Sequence, residues 1–535
     1  MLQRKPSLVN RAFWNFLGAS ILTTVAAQLA VSTDAAIVSH LMGPHAMAAV
    51  NMAMPVLTTF LSLNSLLGVG ASLLAAKAIG SRDSEEASRV FTAALYSVLA
   101  VGVVVTVASY ACCEQISRIV CADDEIRPMV LSYLRVTSLG VTVLVLSGMM
   151  NMMVQSDGRP RLVTCAVIVG AVTNVVLDIV FIKMLGLGIA GSAWATVINY
   201  GVTVCITSSH LRRKSCSYRI VRFTKQVWRT LGANLKQGLP LMIANVLLIN
   251  KMVDGVLGSD GVYMMAVCIQ LLLITFVVLN GVLDATFAIG GMLLGEHDIT
   301  GLKMLNRKVM TFSCAVLVPF SAFVAFAPGA MATLFGADDP ALRAELCRVL
   351  RIFSAILLPF SLTVLLRGMY QVLDYLVLSV GVAVGQVASI VVAVFVFTQV
   401  AAPDMLWWGF PLSAGVMLLV QVGITWRMSR GKSVSPLTLI PAPDAARTYS
   451  ATVQSGQTAE ALAEVRQFLK NAKCPDSIAE KSLHFTEKSL TDADADICIH
   501  IEDGGAVSIV LKDTSKPTPT TKQAFGITIK STQIS

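Results

Sequence analysis

Long apolar stretches follow one another from near the amino terminus to about residue 427, and no other feature restricts the fold as tightly. A bilayer core about 30 Å thick needs about 20 apolar residues in a helix, because lipid leaves backbone polar groups no partner outside their own segment. Hydropathy predicts twelve such spans, at 12–38, 46–77, 90–111, 129–154, 161–184, 188–210, 237–257, 262–294, 309–328, 346–372, 376–399 and 405–427. Charged residues make up 14% of the 535, well below the roughly 25% of soluble domains. The chain is therefore expected to be an all-α, multi-pass membrane protein.

The net charge of +9 does not point to nucleic acid. Basic residues gather in alternate segments between spans, among them Arg4, Lys5 and Arg11, then Lys77, Arg82 and Arg89, then Arg159 and Arg161. The densest segment runs from Arg212 to Arg229, and Lys303, Arg307, Lys308, Arg427, Arg430 and Lys432 lie on the same predicted side. The positive-inside rule places that side, and both termini, in the cytoplasm of a plasma-membrane protein. Met1–Arg11 is basic and leads into about 22 apolar or small residues, which reads as a retained first span, not a cleaved signal. The eleven cysteines show no CxxC and no Cys/His cluster at metal-ligand spacing.

The spans form two sets of six. Asp34 precedes Gly43 and Ala46–Val50, as Asp254 precedes Gly258 and Met264–Val267. Gly80–Asp83 (GSRD) closes the second span and Gly295–Asp298 (GEHD) the eighth, while Gly148–Asp157 and Gly368–Asp374 close the fourth and tenth. Equivalent positions lie 215 to 220 residues apart. This predicts two parallel-repeat lobes, at 1–210 and 237–430, joined by a basic cytoplasmic linker at 211–236. Pro55, Pro319 and Pro359 fall inside spans, where they can bend a helix.

Asn174 and Asp178 break the fifth span four residues apart, so both face one side of a helix. An acid there costs at least about 2.5 kcal/mol on insertion scales unless it meets a cavity or a partner. The repeat offset brings Gln386 and Ile390 to the equivalent places, so the second lobe lacks that acid. Asp34 and Thr196 are expected at a similar depth. Two buried carboxylates sharing one place repel when both are ionised. The bland alternatives are an interhelical anchor for Asp178, an interfacial cap for Asp34 and backbone bonding by Thr196. In the second lobe Lys251, Asp254 and Asp284 read as charges that neutralise one another or meet substrate. Met149, Met150, Met152 and Met153 offer either an adaptable lining or ordinary packing.

With Gly188–Thr196 (GIAGSAWAT), these residues give residues 10–430 a likeness to a known family. The sequence resembles the multidrug and toxic compound extrusion (MATE) family, in particular its NorM and DinF types. The resemblance implies twelve helices in two lobes and export of organic cations against Na⁺ or H⁺. It also implies a cation site at Asp34, Asn174, Asp178 and Thr196, whose two carboxylates, amide carbonyl and hydroxyl are hard oxygens that suit Na⁺ or shared protons. The family's acids in the seventh and tenth helices are matched less well, by Asp254 near an outer end and by Arg367 near an inner one.

From about Ser433 the composition turns polar, and Pro436, Pro441 and Pro443 mark a linker over 431–452. A small cytoplasmic α+β domain is predicted at 453–535. Thr458–Leu490 is helical in pattern, and Asp496–Ile501 and Ala506–Leu511 alternate around Asp503-Gly504-Gly505. Helices, hairpin and a strand at Gly526–Lys530 faintly resemble the ATP-binding domain of anti-sigma factors and histidine kinases. The Mg²⁺-binding Asn is missing from Glu480–Leu490, and Asp513 leads into Thr-Ser where glycine is expected, so the domain reads as a degenerate regulatory or docking module.

The expected function is secondary-active export of amphipathic, cationic compounds by a monomer that needs no cofactor beyond Na⁺ or H⁺. No Walker A motif is present, so neither enzyme chemistry nor ATP-driven pumping is expected. Its partners are a small-molecule substrate, the lipid bilayer and, through the tail, a cytoplasmic protein. Two other readings are a lipid-linked precursor flippase and a membrane sensor signalling through its tail.

Overall fold

A computed structural model describes residues 7–121, 124–213, 216–222, 229–236, 258–334, 339–400, 405–444, 446–454, 456–490, 495–502, 506–513, 522–524 and 527–534. Among them are eleven helices long and apolar enough to cross a membrane. They match the predicted spans one for one, except that 237–257 lies outside the described residues, and Lys251 and Asp254 with it.

The chain divides into two compact units, the first of which holds Met1–Met242, Phe287–Leu302 and Pro443–Ser535. Its helices are α1 (Ser7–Met42), α2 (Pro44–Asn64), α3 (Gly70–Gly80), α4 (Ser84–Ala111), α5 (Cys113–Val120), α6 (Arg127–Ser156), α7 (Pro160–Asp178) and α8 (Ile189–Ser208). A π-helical turn, Ser65–Val69, joins α2 to α3 in one long span, and another, Ile179–Met184, continues α7. The boundaries follow local chemistry. Asp83 caps α4 by accepting the Glu86 N–H at 2.7 Å, and Pro160 opens α7 where its missing N–H costs nothing. Met149, Met150 and Met153 are core residues packed with Tyr133, Leu134 and Phe91.

The basic segment after α8 is bound along the first unit. Tyr218 stacks on Phe91 with ring centroids 5.3 Å apart and donates to the Met153 carbonyl at 3.0 Å. The Arg219 and Val221 N–H groups donate to Ser88 and Thr92 of α4, each at 3.1 Å. Asp157, at the end of α6, accepts from the Ser217 N–H at 3.1 Å and pairs with His210 at 2.7 Å.

The last span of the first unit is the end of α9 (Gly258–Gly295), which crosses α3 at a pair of glycines. A Cβ on Gly80 would stand 2.2 Å from the Met292 carbonyl oxygen, and one on Gly295 would stand 2.1 Å from that of Lys77. Only glycine allows backbones this close. The two glycines are repeat equivalents, and each opens a turn with a left-handed residue at its third position, Arg82 (φ 64°) and His297 (φ 59°).

The tail completes the first unit. It is a five-stranded antiparallel sheet in the order β1-β2-β3-β5-β4, with β1 Thr448–Val453, β2 Ala495–Ile501, β3 Val507–Asp513, β4 Lys522–Ala524 and β5 Ile527–Ile534. Two helices, α15 (Thr458–Asn471) and α16 (Asp476–Ser489), follow β1, and the predicted turn at 503–505 lies outside the described residues. The sheet starts earlier than expected, since β1 falls in the stretch read as linker; an edge strand with mixed polarity carries little pattern. Ile497, Ile499, Ile509 and Leu511 pack with Val465 and Leu469 in the tail core.

The second unit holds Ile243–Thr286 and Lys303–Ala442. Its helices include most of α10 (Ile299–Phe326), and α11 (Pro328–Leu334), α12 (Pro340–Val372), α13 (Leu376–Val400) and α14 (Leu406–Ser429). Phe353, Trp407 and Phe410 centre its core.

Candidate functional site

Helix α7 packs against both α1 and α8, and α6 packs against α8, so four helices enclose one polar spot in the first unit. The α7–α8 contact is close: a Cβ on Gly170 would meet the Asn199 side-chain oxygen at 2.2 Å. Thr164 of α7 bonds to α1 by donating to the Ala19 carbonyl at 3.0 Å.

Asp34 of α1 is 7% exposed and Asp178, the last residue of α7, is wholly buried. The two carboxyl groups lie within electrostatic reach of each other. Neither oxygen of Asp178 has a hydrogen-bond partner among the described residues. Ser192 of α8 donates its hydroxyl to Asp34 at 2.9 Å. Asn174, one turn before Asp178, is buried and its amide nitrogen has no acceptor among the described residues. Tyr133 of α6 and Tyr200 of α8 lie within electrostatic reach of Asp34.

Of the four predicted residues, the structure brings together Asp34 and Asp178 and places Asn174 one turn away. Thr196 sits one turn beyond Ser192, half-buried, and no hydrogen bond joins it to either acid among the described residues. The direct α8 donor is Ser192, which sequence reasoning missed. The signal was there: Ser192, Thr196 and Tyr200 are four apart and share one face of α8.

The arrangement can hold one proton between two carboxyls or offer both to a small hard cation. The π-helical turn beginning at Ile179 adjoins Asp178 directly, and such turns gather at functional sites. A separate groove of about 540 Å³ lies between α1 and α7, lined by Trp14, Asn15, Arg161 and Thr164, and does not include the acids.

In the second unit, Gln386 and Ile390 of α13, which the sequence spacing pairs with Asn174 and Asp178, are both buried, and the Gln386 amide nitrogen lacks an acceptor among the described residues. Arg367 of α12 is buried with one guanidinium nitrogen unpaired among the described residues. Asp284 of α9 is half-buried.

The described residues thus combine eleven helices long and apolar enough to cross a membrane, buried acids and a small sheet domain. The family described as MatE matches residues 19–180. The multidrug export protein MepA of Staphylococcus saprophyticus is 25% identical over 208 residues, 38% of this chain and 46% of that one. MepA of Staphylococcus haemolyticus is 20% identical over 404 residues, 74% and 88% of the two chains. In the former, and in MepA of Staphylococcus aureus, the match spans about half the relative's length. Among solved structures, a MATE transporter in a bent conformation aligns with TM-score 0.70 at 23% identity, over 80% of this chain and 97% of that one. An outward-facing multidrug resistance MATE transporter aligns with the same TM-score and identity, over 80% and 98%. The chain is thus similar to MATE proteins over residues 19–180 and shares the fold of solved MATE transporters.

Proposed function

We propose that this chain is a secondary-active exporter of amphipathic, cationic organic compounds, driven by entry of Na⁺ or H⁺. The observation that carries the reading is the buried pair Asp34–Asp178 braced by Ser192. A pair of carboxyls in low dielectric binds a proton or a cation far better than it tolerates two bare charges. Loading the pair removes the repulsion between α1 and α7, and unloading restores it. That gives one ligand a different affinity for two packings, which is what coupling requires. The MepA relatives, named as multidrug export proteins, support export of varied small compounds.

In this reading the side rich in basic residues faces the cytoplasm, alternating access moves substrate outward, and the transporter works as a monomer without a cofactor. Asn174 and Thr196 complete the ion's environment, with Asn174 turning its amide toward the ion. The tail, as a cytoplasmic module, is open to a protein partner.

The test is dye efflux from inverted vesicles with Na⁺ and pH gradients imposed separately. One gradient should drive transport, and Asp178→Asn should abolish that dependence. Transport indifferent to both gradients overturns the antiport reading. Removing residues after 432 separates exporter from sensor, since an exporter still pumps.

A further inference from the structure

The tail sheet carries helices on one face only, yet β2 is buried on both. Side chains alternate along a strand. Ile497 and Ile499 of β2, with Ile509 and Leu511 of β3, point into the tail core, so Cys498, His500, Val510 and Lys512 point the other way. Sheets with helices on one side leave the other to water. Here Cys498, Val510 and Lys512 are buried, because that face lies on the two turns that follow α3 and α9.

The contacts name both turns. Lys512 forms an ion pair with Glu296 and stands 4.0 Å from Asp298. Cys498 Sγ approaches the Glu296 carbonyl at 3.8 Å, and His500 stacks on His297 with centroids 4.0 Å apart and planes 12° from parallel. On the other turn, the Arg82 guanidinium donates to the Ile509 carbonyl of β3. Arg82 and His297 are the left-handed third residues of the repeat-related turns GSRD and GEHD. Immediately before those turns, α3 and α9 cross at Gly80 and Gly295 with backbone in direct contact. A single sheet face therefore grips both members of a repeat-related pair at the point where their helices meet.

We propose that the carboxy-terminal domain is a built-in clamp that holds the α3–α9 crossing shut and so brakes the transport cycle. The proposal rests on the exporter reading for its consequence, because alternating access requires the helix ends on one side of the membrane to part. For its geometry it rests only on the contacts above. Lys512 is the central element: it neutralises two buried acids of one turn, while the strand that carries it accepts Arg82 of the other.

The experiment uses the full chain in liposomes, with spin labels on unnatural amino acids at Ser84 and Thr300, beside the two turns. Wild type should give one short distance. Lys512→Met and the milder His500→Ala should each shift the population to longer distances, and charge reversal, Glu296→Lys with Lys512→Glu, should restore the short one. Initial dye efflux should rise by about fivefold or more in the two single variants, within the range of coupling between linked equilibria. If Lys512→Met does not fold, His500→Ala carries the test alone. Distances unchanged in the folded variants overturn the clamp, whatever transport does. Distances that lengthen without efflux in any variant leave the clamp standing and overturn the exporter reading.

Discussion

The Ser192 hydroxyl donates to the Asp34 carboxylate at 2.9 Å, tying α8 to α1 at the one place where α1 also meets the acid of α7. A hydrogen bond to a charged acceptor is worth about 1.5–3 kcal/mol, more than a neutral pair. The expected effect of Ser192→Ala is therefore a change of about tenfold or more in half-saturating coupling ion, since 1.4 kcal/mol is tenfold. Thr196→Ala, without that bond, should change it less. Efflux measured against graded Na⁺ or pH ranks the two, and a larger effect at Thr196 would contradict the geometry.

Asp178→Asn keeps the shape of the side chain and removes its charge. Uphill dye export should be lost while the protein still folds and reaches the membrane, because deleting a buried charge does not strand a counter-ion. Growth in toxic dye, together with membrane abundance, checks both halves.

Gly80→Val places a side chain against the Met292 carbonyl, where even a Cβ stands at 2.2 Å. Overpacking of this kind costs about 1–3 kcal/mol. Thermal unfolding in detergent should report a lower midpoint, and the labels at Ser84 and Thr300 should separate. Gly381→Ala, where a Cβ meets nothing, is the neutral control.

Burial holds the His297 imidazole below the usual histidine range, against the pull of nearby Glu502. It stacks on His500, and the adjacent Glu296 pairs with Lys512. A base with a depressed folded-state value stabilises the docked state above its ordinary value near 6.5, and that stability is lost as pH falls through the lowered one. Hydrogen exchange in β2 should rise as pH falls below the ordinary histidine value, and His297→Gln should flatten that dependence. Burial raises the Glu296 carboxyl, with Lys512 opposing the shift, so its own contribution runs with the opposite sign and weakens as pH rises.

Much of this was legible in the residues, unevenly. Asp34 and Asp178 stood out because a charge in an apolar run has no bland explanation at low cost. Ser192 did not, because a serine in a membrane helix is satisfied by its own backbone as easily as by an acid. The turns GSRD and GEHD were readable as repeats, since glycine and aspartate mark helix ends. Their shared contact with the tail was not: Cys498, His500 and Lys512 form no periodic pattern, and only the sheet's register puts them on one face. Spacing alone set Gln386 and Ile390 against Asn174 and Asp178, and both are buried in α13.

The wide turn Ile179–Met184 carries a spare residue directly after Asp178. Reverting it to ordinary helix would advance the chain by one position, swinging everything downstream about 100° around the axis at 3.6 residues per turn. Phe181, against which Gly191 of α8 is packed, lies within that swing. The acid thus sits at a register joint: a change in its charge is mechanically adjacent to a discrete, all-or-none rotation of the segment that leads into α8.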